Sequence, residues 1–245
     1  GLAGGGKSLV DIMPGPIAVA DVDADGDLDV FIGGRAVTGH YPQASVSVLF
    51  RNTTRSLEPA GGTLSQALGL VNGAVFSDLD GDGFPELIVA TEWGPVRVFK
   101  NEQGKFSEAT EALGLSGLTG LWQGVATGDF DGDGDLDLVV VNLDEPVSVY
   151  RNDSVEGRRV LIRLAGTRGN RYGIGAVVRL ESAQGRQIRQ LIPMTGYLSS
   201  NEPLIHFGLG ADATIDRLTV EWPGGQVQQF ENLPADRYYT ITEPE

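Results

Sequence analysis

No cysteine occurs anywhere in the 245 residues, so neither a disulfide framework nor a thiolate metal site can be built. Histidine is almost as scarce, with His40 and His206 only, which leaves a Ser–His–Asp site without a convincing base. Ser199 and Ser200 also lack the G-x-S-x-G turn that exposes a nucleophile. Positive charge is thin: 18 Lys and Arg stand against 33 Asp and Glu, a formal charge of −15. Such a chain repels nucleic acid and anionic lipid and attracts cations. No apolar run is long enough for a membrane-spanning helix, so direct membrane insertion is not expected. Long helical patterns are missing too, while 35 glycines favour a turn-rich, all-β protein.

What the chain does contain is a repeat. The segments IAVADVDADGDLDVFIGG (17–34), AVFSDLDGDGFPELIVAT (74–91) and VATGDFDGDGDLDLVVVN (125–142) align without gaps. A second block follows each: VLFRN (48–52), VFKN (98–101) and VYRN (149–152). Asp78 to Asn101 and Asp129 to Asn152 both span 23 residues, and the longer first unit carries an insertion in RAVTGHYPQAS. ALGL, at 67–70 and again at 112–115, precedes the second and third units. Runs such as DVFIGG, ELIVAT and DLVVVN are β-branched, bounded by Gly and Asp, and too short for helices. Several short strands in a unit of about 50 residues predict propeller blades. Three blades are too few to close a ring, and the chain opens on Gly1 rather than Met. Either more blades lie upstream, the favoured reading, or something else covers the open edge, and an upstream export signal could have been lost.

Each unit carries the loop D-x-D-x-D-G-x-x-[DE]. Its first, third, fifth and ninth positions are Asp21, Asp23, Asp25 and Asp29, then Asp78, Asp80, Asp82 and Glu86, then Asp129, Asp131, Asp133 and Asp137. The seventh position varies (Asp27, Phe84, Asp135), as expected where only a backbone carbonyl is used. Glycine at the sixth, Gly26, Gly83 and Gly134, suits a tight loop that needs positive φ. Two carboxylates at about 4 Å repel by roughly 4 kcal/mol at an effective dielectric near 20. Fourteen acidic side chains crowd these loops, so something must offset the repulsion. Oxygen ligands in this number suit Ca²⁺, about three ions in all, better than Mg²⁺. An EF-hand would place a bidentate Glu at the twelfth position, where Ile32, Val89 and Val140 stand, and would continue as helix rather than strand.

These units resemble the FG-GAP/VCBS-type repeats of integrin-like β-propellers. That resemblance implies loops that bind Ca²⁺ structurally within a blade, without catalysis. From about Leu161 the repeat stops, and three stretches follow: GNRYGIGAVVRL (169–180), GYLSSNEPLIHFGLG (196–210) and LTVEWPGGQVQQFENL (218–233). Their order resembles the ASPIC/UnbV domain of secreted, cartilage-acidic-protein-like chains, on Asn170, Arg171, Gly173 to Ala176, Ser199, His206 to Gly210, Trp222, Pro223 and Gly225. The blades are thus placed in residues 1–157 and the second domain in 158–245, read as a small antiparallel β sandwich. AVVRLES and RQIRQLIPM pair through AQG, RLTVEWP and GQVQQFENL through Gly224 and Gly225, and PLIHFGLG forms a core strand.

Other signals read as structural. GNRYGIGA lacks the G-K-[ST] of a phosphate loop and precedes strand, not helix. His206 is read as a core residue, and Arg168, Arg171 and Arg179 as a solvated face. Asn52 and Asn152 fit N-x-[ST], yet Asn101 recurs at the same repeat position without it, which favours a structural asparagine.

The expectation is an exported, extracellular or periplasmic calcium-binding protein that engages a protein or glycan partner. Two alternatives stand beside it. One is an enzyme or biosynthetic accessory protein with a site on the propeller face; the other is a subunit of a larger assembly, joined through blade edges to further blades or chains.

Overall fold

A computed structural model describes residues 12–53, 55–154, 157–194 and 200–245. It is all β, with no strand set closed into a barrel. The first unit is a four-stranded antiparallel sheet of β1 (Ile12–Ala20), β2 (Asp29–Val37), β3 (Val48–Thr53) and β4 (Ser56–Ala60), in that order. The second repeats it with β5 (Leu70–Ser77), β6 (Glu86–Pro95), β7 (Arg97–Glu102) and β8 (Lys105–Glu108). The third has three strands, β9 (Thr119–Gly128), β10 (Asp137–Asn142) and β11 (Ser148–Tyr150). Short pairing of β6 with β9, from Glu92↔Leu121 to Pro95↔Thr119, joins the second and third units into one sheet.

Blades need apolar residues on both faces, because each packs against a neighbour on either side. The run ELIVAT in β6 meets that demand and is buried throughout. Phe31, Leu49, Leu87, Val89 and Phe99 pack the first blade on the second. Ile88, Val98, Trp122, Val125 and Val140 pack the second on the third. Alternate residues of one strand thus serve two successive cores, and the acidic loops between first and second strands fall at equivalent ends of the blades.

Past the third blade come β12 (Arg158–Ala165), β13 (Val177–Ser182), β14 (Gly185–Gln190), β15 (Ile205–Gly210), β16 (Thr214–Glu221), β17 (Val227–Pro234) and β18 (Arg237–Thr242). They form two sheets, β15-β12-β18 and β14-β13-β16-β17, around a core that includes Ile162, Leu180, Phe207, Ile215 and Trp222. The hairpin through Ala183 and Gln184 is present, and β15 is the buried strand expected of IHFGLG. Two details differ from the sequence reading. The β16–β17 connection spans residues 222–226, closed by Trp222 N–H to Gln226 O, rather than two glycines alone. The sandwich is not wholly antiparallel either: β18 runs parallel to β12, because the chain leaves β17 in one sheet and crosses to the other.

Candidate metal centres

The three loops share one backbone geometry, built by their own carboxylates. The first aspartate accepts the N–H of the glycine five residues on: Gly26 to Asp21 at 3.1 Å, Gly83 to Asp78 at 3.0 Å and Gly134 to Asp129 at 3.2 Å. Those glycines have φ of 92°, 92° and 94°, the left-handed region in which a Cβ is strained. The fifth-position aspartate accepts from the seventh: Asp27 to Asp25, Phe84 to Asp82 and Asp135 to Asp133, at 2.8, 2.8 and 2.9 Å.

The ninth-position acid does more than the sequence reading gave it. One of its oxygens takes the second-position N–H of the loop (Val22 to Asp29, Leu79 to Glu86, Phe130 to Asp137). The other takes the N–H of the recurrent asparagine (Asn52, Asn101, Asn152) at 2.8, 3.3 and 2.8 Å. It is thus a clamp between the loop and the third strand of its blade.

The asparagine side chain then reaches across to the preceding blade. Asn101, fully buried, donates from Nδ2 to Val22 O in the first loop (2.8 Å) and to Pro85 O in its own (3.0 Å), and its Oδ1 accepts from Gly104. Asn152 repeats this with Leu79 O (2.8 Å) and Leu136 O (3.4 Å). Its amide nitrogen, the atom a glycan would occupy, is therefore engaged in the fold. Thr54 of the other sequon and Ser199 lie outside the described residues. Asn101→Leu leaves two carbonyls and one N–H unmatched at about 1–3 kcal/mol each, so a loss of about 3 kcal/mol or more is expected in a urea titration. An unchanged midpoint would show that the stitch contributes nothing.

Sequence reasoning missed the residue just before each asparagine, although its signal is plain in RN, KN and RN. Arg51 pairs with Asp23 at 2.8 Å and with Asp29 at 3.1 Å. Lys100 pairs with Asp80, and Arg151 lies 3.9 Å from Asp131. One cationic side chain therefore faces the third-position carboxylate of each loop and relieves part of its repulsion.

Three acids per loop offer oxygens within 4.8 Å of one another: Asp21, Asp23 and Asp25; Asp78, Asp80 and Glu86; Asp129, Asp131 and Asp137. Asp29, Asp82 and Asp133 stand outside these sets, and Asp29 is held by Arg51 and two backbone N–H groups. Asp21 Oδ1, Asp23 Oδ1 and Asp78 Oδ1 are buried without a hydrogen-bond partner among the described residues. Burial, with the field of neighbouring acids, drives Asp21 and Asp78 up to about 6 and Glu86 up to about 9. Unmatched, crowded carboxylate oxygens of this kind fit a hard divalent cation.

The second loop is also docked on the C-terminal sandwich. Gly208 N–H donates to Asp78 Oδ2 at 2.9 Å and Gly210 N–H to Gly81 O at 2.8 Å. Gln184 reaches Asp82 O, and Arg189 reaches Gly83 O at 3.4 Å. At the third loop Arg159 pairs with Asp135. One carboxylate, Asp78, therefore serves both the loop and the sandwich. Of the arginines read as a solvated face, Arg179 is held by Glu221 at 2.9 Å on the sandwich surface.

Comparison with known proteins agrees with this architecture. The FG-GAP-like repeat matches residues 21–89 and 78–140, and ASPIC and UnbV matches residues 166–245. Among curated proteins, cartilage acidic protein 1 of Mus musculus and of Homo sapiens are each 37% identical over 108 residues, and that of Xenopus tropicalis is 35% identical. The matched stretch covers 42% of this chain but 16% of each relative. The chain thus carries FG-GAP-like repeats followed by an ASPIC/UnbV segment, and shares ancestry over part of its length with cartilage acidic protein 1.

Proposed function

We propose that the three acidic loops bind Ca²⁺, and that the ions stiffen an exported, extracellular or periplasmic scaffold that holds a protein or glycan partner. The observation that carries this reading is the convergence of three acids within 4.8 Å in each loop, joined in the first two by the unmatched buried oxygens of Asp21, Asp23 and Asp78. Such loops are preorganised, so a cation needs little rearrangement to enter. The cation neutralises charge that would push successive blades apart. It also steadies Asp78, and with it the junction to the sandwich. No helix among the described residues is long and apolar enough to cross a membrane.

A partner surface is supported on the blades. Tyr41, in the insertion of the first unit, lies 5.7 Å from Trp93 between ring centroids, and the two are 53% and 55% exposed. Trp93 is held there at a φ of 57°, a costly conformation for a bulky residue. Exposed rings fixed in place suit the apolar face of a sugar or a protein side chain.

Equilibrium dialysis against ⁴⁵Ca²⁺ tests the reading, with about three ions per chain expected at saturation. Asp131→Ala should remove one ion and leave the other two. Retention of one ion or none at millimolar Ca²⁺ would overturn it. The assembly reading keeps one observation in its favour: β11 is a three-residue edge strand with Val147 and Val149 exposed, open to a further strand.

A further inference from the structure

A cavity of about 390 Å³ opens between the inner strands of the blades and the C-terminal sandwich. It lies beside the second loop, and Asp78, Pro85 and Leu136 of the loop clamps form part of its wall. Its walls are mostly apolar, with Ile17 and Val19 from β1, Phe76 from β5, and Leu204 and Ile205 from the sandwich side. Into this lining are set polar groups without partners. Ser77 and His206, 4% and 8% exposed, both line the cavity. Neither Ser77 Oγ nor either ring nitrogen of His206 has a hydrogen-bond partner among the described residues. His206 is the buried residue of β15 that the sequence reading expected, with both ring nitrogens left unmatched.

Three charged residues line the wall: Asp78, whose carboxylate is held by Gly83 and Gly208 N–H, Glu202, paired with Arg163 at 3.0 Å, and Arg189. The Arg189 guanidinium donates to Ile188 O at 3.0 Å, Gln187 Oε1 at 3.2 Å and Gly83 O at 3.4 Å, all neutral acceptors. It makes no ion pair within 4.0 Å among the described residues. The nearby acids that act on it are Asp78 and Asp21, the first ligands of two loops. A cation in those loops takes up their charge and leaves Arg189 as a partly buried positive group beside a mostly apolar space. A partly desolvated charge without an ionic partner favours an arriving anion.

We propose that this cavity binds a small organic anion with an apolar body, its carboxylate set against Arg189 and its tail against Ile17, Val19 and Phe76. His206 and Ser77 supply further hydrogen-bonding capacity in the same wall. The site depends on the calcium reading only for the charge left on Arg189.

Calorimetric titration of the Ca²⁺-saturated chain with octanoate, 1-octanol and octylammonium tests this. Octanoate should bind at least about tenfold more tightly than octanol, a difference of about 1.4 kcal/mol, and octylammonium should not bind. Ile17 is 56% exposed on the cavity wall, so Ile17→Trp blocks the space without disturbing the core and should weaken octanoate at least tenfold at an unchanged melting temperature. Arg189→Gln should erase the preference for octanoate over octanol. Equal binding of octanoate and octanol by the unaltered chain, or wild-type affinity in Ile17→Trp, would overturn the site. So would absence of binding in a chain that holds its three ions. A preference for octanoate that is identical in chelator supports the cavity and removes the cation's part in it.

Discussion

In excess chelator the chain is expected to melt about 15 °C or more below its value in saturating Ca²⁺, and to recover when the ion is restored. A ligand at about a hundred times its Kd stabilises by about 2.7 kcal/mol per site, so three sites contribute about 8 kcal/mol. In a chain of this size each kcal/mol moves Tm by about 2–4 °C. The sign of the pH dependence gives a second check. Asp21 and Asp78 are raised from 3.8 to about 6, and Glu86 from 4.5 to about 9, chiefly by burial. Without the cation, the folded chain therefore holds more protons than the unfolded chain between about pH 4 and about pH 9. Stability falls with rising pH wherever the folded state binds more protons. The chelated chain should melt higher at pH 5.5 than at pH 8.5. Ca²⁺ binds the deprotonated acids, so the gap between loaded and chelated protein should widen as pH rises. A melting temperature indifferent to chelator across that range would remove the structural cation.

Gly208→Ala should cost about 3 kcal/mol or more and reduce the bound ions from three to two. A Cβ at Gly208 would lie 2.5 Å from Gly81 C and 2.6 Å from Gly81 O, and it would press on the Asp78 carboxylate as well. Overpacking of this kind costs about 1–3 kcal/mol, and the buried hydrogen bond to a charged acceptor adds about 1.5–3 kcal/mol. The neighbour is loop backbone already clamped at both ends, so it cannot yield cheaply. Thermal melting with an ion count on the folded protein reads both effects. Wild-type stability with three ions would mean that sandwich and loop are not coupled through Asp78. A control at Gly225, where an added Cβ meets nothing within 4 Å, should change the ion count by nothing, although its φ of 87° strains any side chain.

The local pattern of the chain carried much of this protein. Three copies of D-x-D-x-D-G, each before a β-branched run, are enough to specify strand, tight loop, strand, because glycine alone relaxes at φ near 92° and side-chain alternation has a period of two. The recurring asparagine was legible as structural from its return at residue 101 without a sequon. The hairpin of β13 and β14 followed from its pattern in the same way.

Only the folded chain decided the partners of these groups. Asn101 meets Val22 across 79 residues, Asp78 meets Gly208 across 130, and Gln184 meets Asp82 across 102. The parallel placement of β18, the arginines and lysine facing the third aspartates, and the cavity wall in which Ser77 and His206 are unmatched beside Arg189 arise in the same way. Periodicity and turn chemistry act over a few residues and so leave a local trace. Contacts between blades, and between blade and sandwich, depend on which faces packing brings together, and that is settled by the summed burial of three separate cores rather than by any one segment.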